Sequence, residues 1–361
     1  MTQAVALAQY GSTGVSQGFK NRIINGAMTI SQRNGTSSVT ANDGTFSVDR
    51  YKFETSQSSK LTTQQDAGAV TPPAGFSDYL GITSSSAYSI TSTDYFGVYQ
   101  FIEGFNIADL NWGTANAKTV TLSFWVRSSL TGTFGGSLRN NNADRSYPYS
   151  YTISSANTWE YKTVTIAGDT SGTWEVTNGT GIRVGFGLGV GSNYSGTAGA
   201  WASANQSSAT GATSVVGTNG ATFYITGVQL EVGSTATSFD YRPYTTELQL
   251  CQRYFEKSFS VSKVPDGSLG SSIYASSFSD QSNNAVYNYK LSVEKRANPT
   301  ITFYLGNGTS GSFSYVRSGG TSTATPTVHE NTTTGVNFYL NIGASWTGCN
   351  IYGSLTASSE L

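Results

Sequence analysis

From Thr119 to Arg127 the chain reads Thr-Val-Thr-Leu-Ser-Phe-Trp-Val-Arg, with an apolar residue at every second position. Side chains along an extended strand point alternately to its two faces, so Val120, Leu122, Phe124 and Val126 share one face, and Thr121, Ser123, Trp125 and Arg127 share the other. The aliphatic face is a core face, and it needs a second layer to cover it. The same rhythm recurs at residues 46–54, 96–103, 147–153, 161–167, 182–188 and 221–232, always bounded by Gly, Ser or Asn. So many short strands within roughly 220 residues predict a sandwich or a barrel built from antiparallel sheets.

The surface of such a fold has to be made from uncharged residues. Of 361 residues only 20 are Lys or Arg and 21 Asp or Glu, a charged fraction of 11%, against about 25% in ordinary globular chains. Coiled coils, ion-paired surface helices and charged tails are excluded, because each needs dense charge to stay solvated. A net charge of −1 leaves no footprint for phosphate neutralisation, so no nucleic-acid partner is expected. No segment reaches the ~20 apolar residues of a membrane span, so membrane insertion is not expected either. The first ten residues lack the basic start and long apolar stretch of a secretory signal. Cys251 and Cys349 stand far apart, outside any Cys-x-x-Cys spacing, and are expected to be free and buried.

Four regions follow. Residues 1–18 are small, polar and Gly-rich, either frayed or docked on something else. Residues 19–243 hold the strand-rich unit, in which the long stretch from Gly189 to Ala221, with Tyr194 and Trp201 as its only large apolar anchors, reads as loops lying over a sheet. Residues 244–257 contain one helix, expected from Thr245 to Lys257, with Thr245 as cap, Glu247 in the first turn, Lys257 at the far end, and Leu248, Cys251 and Phe255 at helical spacing. Residues 258–361 return to short alternating runs and predict a second, smaller β domain.

Reactive chemistry is sparse. The single histidine, His329, lies beside Glu330 in a Thr- and Asn-rich stretch read as an exposed loop, with no second imidazole to complete a metal site. No Gly-x-Ser-x-Gly elbow is present. The glycines of Gly185-Phe-Gly-Leu-Gly-Val-Gly191 alternate with period two and no helix follows, so this is a strand leaving the sheet, not a phosphate loop. Glu103 and Asp109 are close in sequence, but read as solvated carboxylates at a strand end and in a loop. No catalytic residue, metal or cofactor is expected. What remains is aromatic surface. Trp125 beside Arg127 suits a sugar ring stacked on the indole with hydroxyls bonded by the guanidinium, or else a surface covered by a loop or another subunit. Tyr194 and Trp201 carry the same two readings, and these four residues are the candidate glycan contacts.

Particular motifs carry a family resemblance. Phe19-Lys-Asn-Arg-Ile-Ile-Asn-Gly-Ala-Met28, Ser31-Gln-Arg33, Val48-Asp-Arg-Tyr51, the stretch from Thr119 to Arg127, Asn157-Thr-Trp-Glu-Tyr-Lys-Thr-Val-Thr-Ile166, Ile225-Thr-Gly-Val-Gln-Leu-Glu-Val-Gly233, Phe239-Asp-Tyr-Arg-Pro243, Leu250-Cys-Gln-Arg-Tyr-Phe-Glu-Lys257, Arg296-Ala-Asn-Pro-Thr300 and the terminal Leu355-Thr-Ala-Ser-Ser-Glu-Leu361 resemble tail fibre and minor structural proteins of tailed-bacteriophage virions. The resemblance spans almost the whole chain. It implies an all-β protein: a jelly-roll β-sandwich like a carbohydrate-binding module, then a short helix and a smaller C-terminal β domain. It further implies a place in the virion, attachment to a host-surface glycan without catalysis, a homotrimer, and docking to other tail or capsid proteins through residues 1–18. It carries over no sugar-contacting residue. A capsid-decorating or tail-scaffold protein that binds no sugar, and a glycan-cleaving tailspike, are the competing expectations.

Overall fold

A computed structural model describes residues 20–264, 269–277, 284–317, 320–343 and 349–361. The expected docking segment, residues 1–18, lies outside them. In chain order the strands of the first unit are β1 (Val39–Thr40), β2 (Tyr51–Thr55), β3 (Leu61–Gln65), β4 (Leu80–Ser84), β5 (Tyr95–Glu103), β6 (Val120–Ser128), β7 (Gly132–Arg139), β8 (Ser146–Ile153), β9 (Glu160–Ile166), β10 (Thr180–Val190), the short pair β11 (Ser195–Gly196) and β12 (Ser208–Ala209), and β13 (Thr222–Val232). A six-stranded sheet runs β1-β3-β4-β13-β6-β9 and a five-stranded sheet β2-β5-β10-β7-β8. Together they form the expected jelly-roll β-sandwich.

The alternation sets the core. Val120, Leu122, Phe124 and Val126 of β6 are fully buried, and Ile182, Val184, Phe186 and Leu188 of β10 meet them from the opposite sheet. Phe124 and Phe186 touch edge to face with centroids 5.0 Å apart, and burying each such ring contributes about 1.5–3 kcal/mol.

The glycines of β10 have a different job from the one expected. They sit inside the sheet, not at its exit, and face outward between the buried apolar residues. A Cβ on Gly185 would run into the ring of Tyr99 from β5, and one on Gly187 would lie 2.7 Å from Ser208 Oγ. Bare backbone there lets Tyr99 lie flat and lets the 191–217 excursion, with β11 and β12, cover the five-stranded sheet.

Helix α1 spans Tyr244–Gln252, five residues short of the expected end, with Pro243 instead of Thr245 at the cap position. Phe255–Lys257 forms strand β14, paired in register with Thr356–Ser358. Burial of Phe255, Glu256 and Lys257 in a sheet outweighs a helical spacing that only Leu248 and Cys251 satisfy within the helix, an instance of tertiary context overriding local propensity. The following strands are β15 (Ile273–Ser277), β16 (Asn284–Lys290), β17 (Thr300–Tyr304), β18 (Phe313–Arg317), β19 (Gly320–Ala324), β20 (Pro326–Asn331), β21 (Gly335–Asn341) and β22 (Cys349–Ser358). The long β22 pairs with β14, β15, β17 and β18. Phe303, Phe313, Phe338, Ile351 and Leu355 form a second core. His329 is exposed, as expected, but on strand β20 and not in a loop. Both cysteines are buried and neither is in a disulfide.

A polar seam ties the two units together. Asp49 accepts hydrogen bonds from Gln32 N and Nε2, Gln32 Nε2 also donates to Phe255 O, and Lys257 Nζ donates to Gln32 O. Glu360 pairs with both Arg33 and Arg50, and the Arg50 guanidinium lies 3.5 Å from the Tyr254 ring centroid. Glu103 is part of this seam and is almost fully buried, not solvated as expected, because Arg253 and the Tyr254 hydroxyl bond to it. Asp109 is the exposed partner of Arg22.

Candidate functional site

The outer face of the six-stranded sheet carries an aromatic groove. Trp125 on β6 stands directly across from Tyr161 on β9, and their ring centroids are 5.4 Å apart with planes tilted by 50°. On the other side of Trp125, the pairing of β13 shifts between Thr226 and Gln229. That irregularity places Gly227 at φ +62°, a conformation glycine adopts without strain. Phe76, from the connection between β3 and β4, closes over Gly227. Phe239 and Tyr241, from the stretch after β13, pack on Phe76 with centroids 5.1 and 5.6 Å away. The Tyr241 hydroxyl donates to Gly75 O at 2.9 Å and anchors that stretch.

These residues enclose an open cleft of about 470 Å³ whose remaining lining includes Ser123, Ala236, Thr237 and Ser238. Among the described residues, no charged side chain lines it. At its rim Thr237 Oγ1 lies 2.6 Å from both Lys20 Nζ and Glu231 Oε2, so that cation and that carboxylate balance each other. A smaller hollow of about 180 Å³ shares Phe76, Phe239 and Tyr241 and continues the groove toward Tyr244, Arg242 and Glu247. Tyr161, Tyr241 and Tyr244 are 43%, 58% and 54% exposed, an aromatic strip unusual on an otherwise polar surface. Partial burial pushes the Tyr241 and Tyr244 phenols above their ordinary range, so both stay neutral at physiological pH.

Of the four residues singled out from the sequence, Trp125 alone lines this groove. Arg127 shares its strand face, yet its guanidinium lies 5.5 Å from the Tyr224 ring centroid and its Nε donates to Asn157 O at 3.0 Å. It is held as a structural clamp outside the lining of this groove. Trp201 packs edge to face against Trp112, Trp174 and Tyr147 and donates Nε1 to Ala167 O at 2.7 Å. Its indole pins the long loop down. Tyr194 stands against Tyr95, 5.3 Å between centroids, at a polar hollow of about 290 Å³ on the five-stranded sheet that includes Glu54, Arg139 and Arg183. There Glu54 is 2.7 Å from Arg139 and 3.5 Å from Arg183.

Phe76, Tyr161, Phe239 and Tyr241 were not anticipated. The alternation of Tyr161 with Trp159 was a usable signal, as was the spacing of Phe239, Tyr241 and Tyr244. Phe76 carries none, since its connection has no periodicity. Chemically the main cleft offers ring faces, hydroxyls and backbone carbonyls, while the smaller hollow adds Asp240 and Glu247, both beside Arg242. Among the described residues no group of three or more His, Cys, Asp or Glu is placed to hold a metal ion, and no helix is long and apolar enough to cross a membrane.

Compared with known proteins, the sequence matches no family model and no curated protein. Solved structures resemble it in part. A family 4 carbohydrate-binding module is 15% identical over 58% of this chain and 98% of its own, with a TM-score of 0.29. A family 11 carbohydrate-binding module from Clostridium thermocellum, in complex with a mixed-linked β-1,3-1,4 tetrasaccharide, is 14% identical over 55% of this chain and 98% of its own, at 0.27. The enzymatically active domain of tailspike protein 4 of bacteriophage CBA120 is 14% identical over 59% of this chain, at 0.30, and the match spans only 22% of that protein. At these values no residue role passes from them to this chain.

Proposed function

We propose that this protein is a non-catalytic attachment protein of a bacteriophage virion, a tail fibre that holds host-surface glycans in the groove formed by Trp125, Tyr161, Phe76 and Tyr241. The groove itself carries this reading. Half-buried and exposed rings set side by side on a sheet present flat apolar faces, which suit the C–H faces of pyranose rings, while the exposed Thr237 and Ser238 are there to bond hydroxyls. A charge-poor Ser, Thr and Asn surface keeps such a protein soluble without salt-sensitive ion pairs. The virion setting, the homotrimer and docking through residues 1–18 rest on the resemblance of the sequence motifs to phage fibre proteins. In a trimer, weak single sites gain by avidity. Catalysis is left out of the proposal because, among the described residues, no carboxylate lines the main cleft, and Asp240 and Glu247 in the smaller hollow are both held beside Arg242.

A glycan array probed with the purified full-length protein tests this reading. Binding to some glycans, abolished in Trp125→Ala while the fold is retained, is the expected result. A second reading, a capsid-decorating or tail-scaffold protein, is favoured by the exposure of Tyr244 beyond the cleft, next to the exposed Tyr241 at its edge, since a neighbouring virion protein would cover such a strip. A blank array for the wild type selects it. Shortening of a host polysaccharide on incubation would instead select the tailspike.

A further inference from the structure

We infer, granting the attachment reading, that the groove takes an uncharged, extended oligosaccharide of at least two sugar units, and that Gly227 makes this possible by joining two aromatic platforms into one surface. One platform is the Trp125–Tyr161 pair and the other is the cluster of Phe76, Phe239 and Tyr241. Gly227 lies between them. A Cβ there would stand 2.6 Å from Phe76 Cζ and 3.1 Å from Trp125 Cδ1. Any side chain at this position pushes Phe76 outward and splits the groove. With glycine, the two platforms are continuous, and a single monosaccharide on one leaves the other bare.

Charge decides the class of sugar. A carboxylate or sulfate on the ligand would meet ring faces, which are electron-rich, and hydroxyls, with no cation in the main cleft to receive it. Two cations beside the groove are already committed. Lys20 Nζ donates to Thr237 Oγ1 and Ser238 O, and Arg242, itself in the smaller hollow, bonds Ile23 O and Asn21 O and pairs with Glu247. An amino sugar would likewise find no carboxylate in the main cleft. Neutral hexoses lose nothing there.

Affinity electrophoresis and calorimetry with the full chain test this. The neutral probes are cello-, malto- and galacto-oligosaccharides of one to six units, and the acidic probes are polygalacturonate and polysialic acid. Affinity for a neutral series is expected to rise at least tenfold from one to three units, and acidic probes to bind at least tenfold more weakly. Gly227→Ala is expected to weaken the trisaccharide about tenfold and leave the monosaccharide unchanged. Phe76→Ala, which removes the bridging ring without straining the backbone, gives the same pattern if the glycine variant fails to fold. Ser238→Lys, exposed at the groove wall, is expected to raise affinity for the acidic probes. Preference for acidic glycans through Trp125, equal affinity for one and three units, or wild-type binding by a folded Gly227→Ala would each overturn the inference while attachment stands. If no glycan of either class binds on the array, the attachment reading fails and this one with it.

Discussion

Arg253 and Glu103, 150 residues apart in sequence, meet side by side: Nη2 lies 2.6 Å from Oε1 and Nε 2.9 Å from Oε2. This two-pronged contact joins the end of a sandwich strand to the residue that follows α1. Burial pushes the Glu103 carboxyl up, but hydrogen bonds from Arg253 and Tyr254 outweigh it and leave the net shift downward. Arg253→Ala strands a buried carboxylate, and because the guanidinium is partly exposed the expected cost is about 2–3 kcal/mol, at the low end for a broken buried pair. Arg253→Lys keeps the charge but not the fork, and is expected to recover under half of the loss. Urea denaturation of the two variants measures both; equal stability of Arg253→Ala and wild type would remove the pair from the account of how the units are joined.

Two tryptophans separate binding from packing. Trp201→Ala empties an indole from a cluster of four aromatic residues and is expected to cost about 3 kcal/mol or more of stability. Its effect on glycan affinity is expected to be slight. Trp125→Ala should do the reverse: a small change in melting temperature and at least a tenfold loss of affinity, about 1.4 kcal/mol. Thermal melts beside binding curves for both variants decide it, and matching effects in the two would show that Trp125 is merely structural.

Asp94 organises the connection before β5. Its carboxylate receives Thr91 N at 2.7 Å, Thr91 Oγ1 at 2.8 Å, Ser56 Oγ at 2.8 Å and Tyr88 Oη at 3.0 Å. Burial raises its pKa, but these four donors prevail and hold it at about 2. A carboxyl depressed in the folded state stabilises above its unfolded pKa near 3.8 and loses that contribution as pH falls toward 2. Allowing for solvent screening, about 1 kcal/mol is at stake. Asp94→Asn is expected to lower stability at pH 6 and to match wild type near pH 2, in urea titrations at the two pH values.

Asp66 behaves in the opposite sense. Burial lifts it to about 6; the Tyr79 amide pulls it down, and repulsion from Asp78 adds to the rise. Because the folded pKa lies above the unfolded one, ionisation costs stability as pH climbs from 3.8 to 6, and the full cost persists above that. Its backbone is left-handed, φ +57°, which asparagine tolerates well. Asp66→Asn should therefore gain about 1 kcal/mol at pH 7, after screening, and nothing at pH 3.5. Equal gains at both pH values would mean the charge is not responsible.

Many residues of the motifs that carry the resemblance share a location. Asn21, Asn25, Gln32, Arg33, Asp49, Arg50, Arg242, Tyr254, Lys257 and Glu360 all make contacts within the seam or just beside it. What those residues specify is how the helix and second β unit attach to the sandwich. Other residues of the same motifs, Tyr161, Gly227, Phe239 and Tyr241, line the groove itself, yet a resemblance in sequence does not say which of them face a ligand.

Much of the architecture could be read from local pattern. Period-two burial at Val120 to Val126 and at Ile182 to Leu188 names a core face without reference to any partner, because alternation is a property of a single strand. Strand β3, Leu61–Gln65, escaped, since its one aliphatic residue leaves no hydrophobic alternation to see. The helix was placed but ended wrongly, because pairing with Thr356–Ser358 is a contact across a hundred residues. Trp125 and Arg127 share a face by periodicity, yet only one opens on the groove; which one depended on Tyr224 and Asn157. Local chemistry thus determined much of the sheets, their inward faces and the scarcity of charge. The groove was decided by tertiary structure alone, because Phe76, Tyr161, Gly227 and Tyr241 come from four separate stretches, and no spacing along a chain records which of its loops will come to rest beside one another.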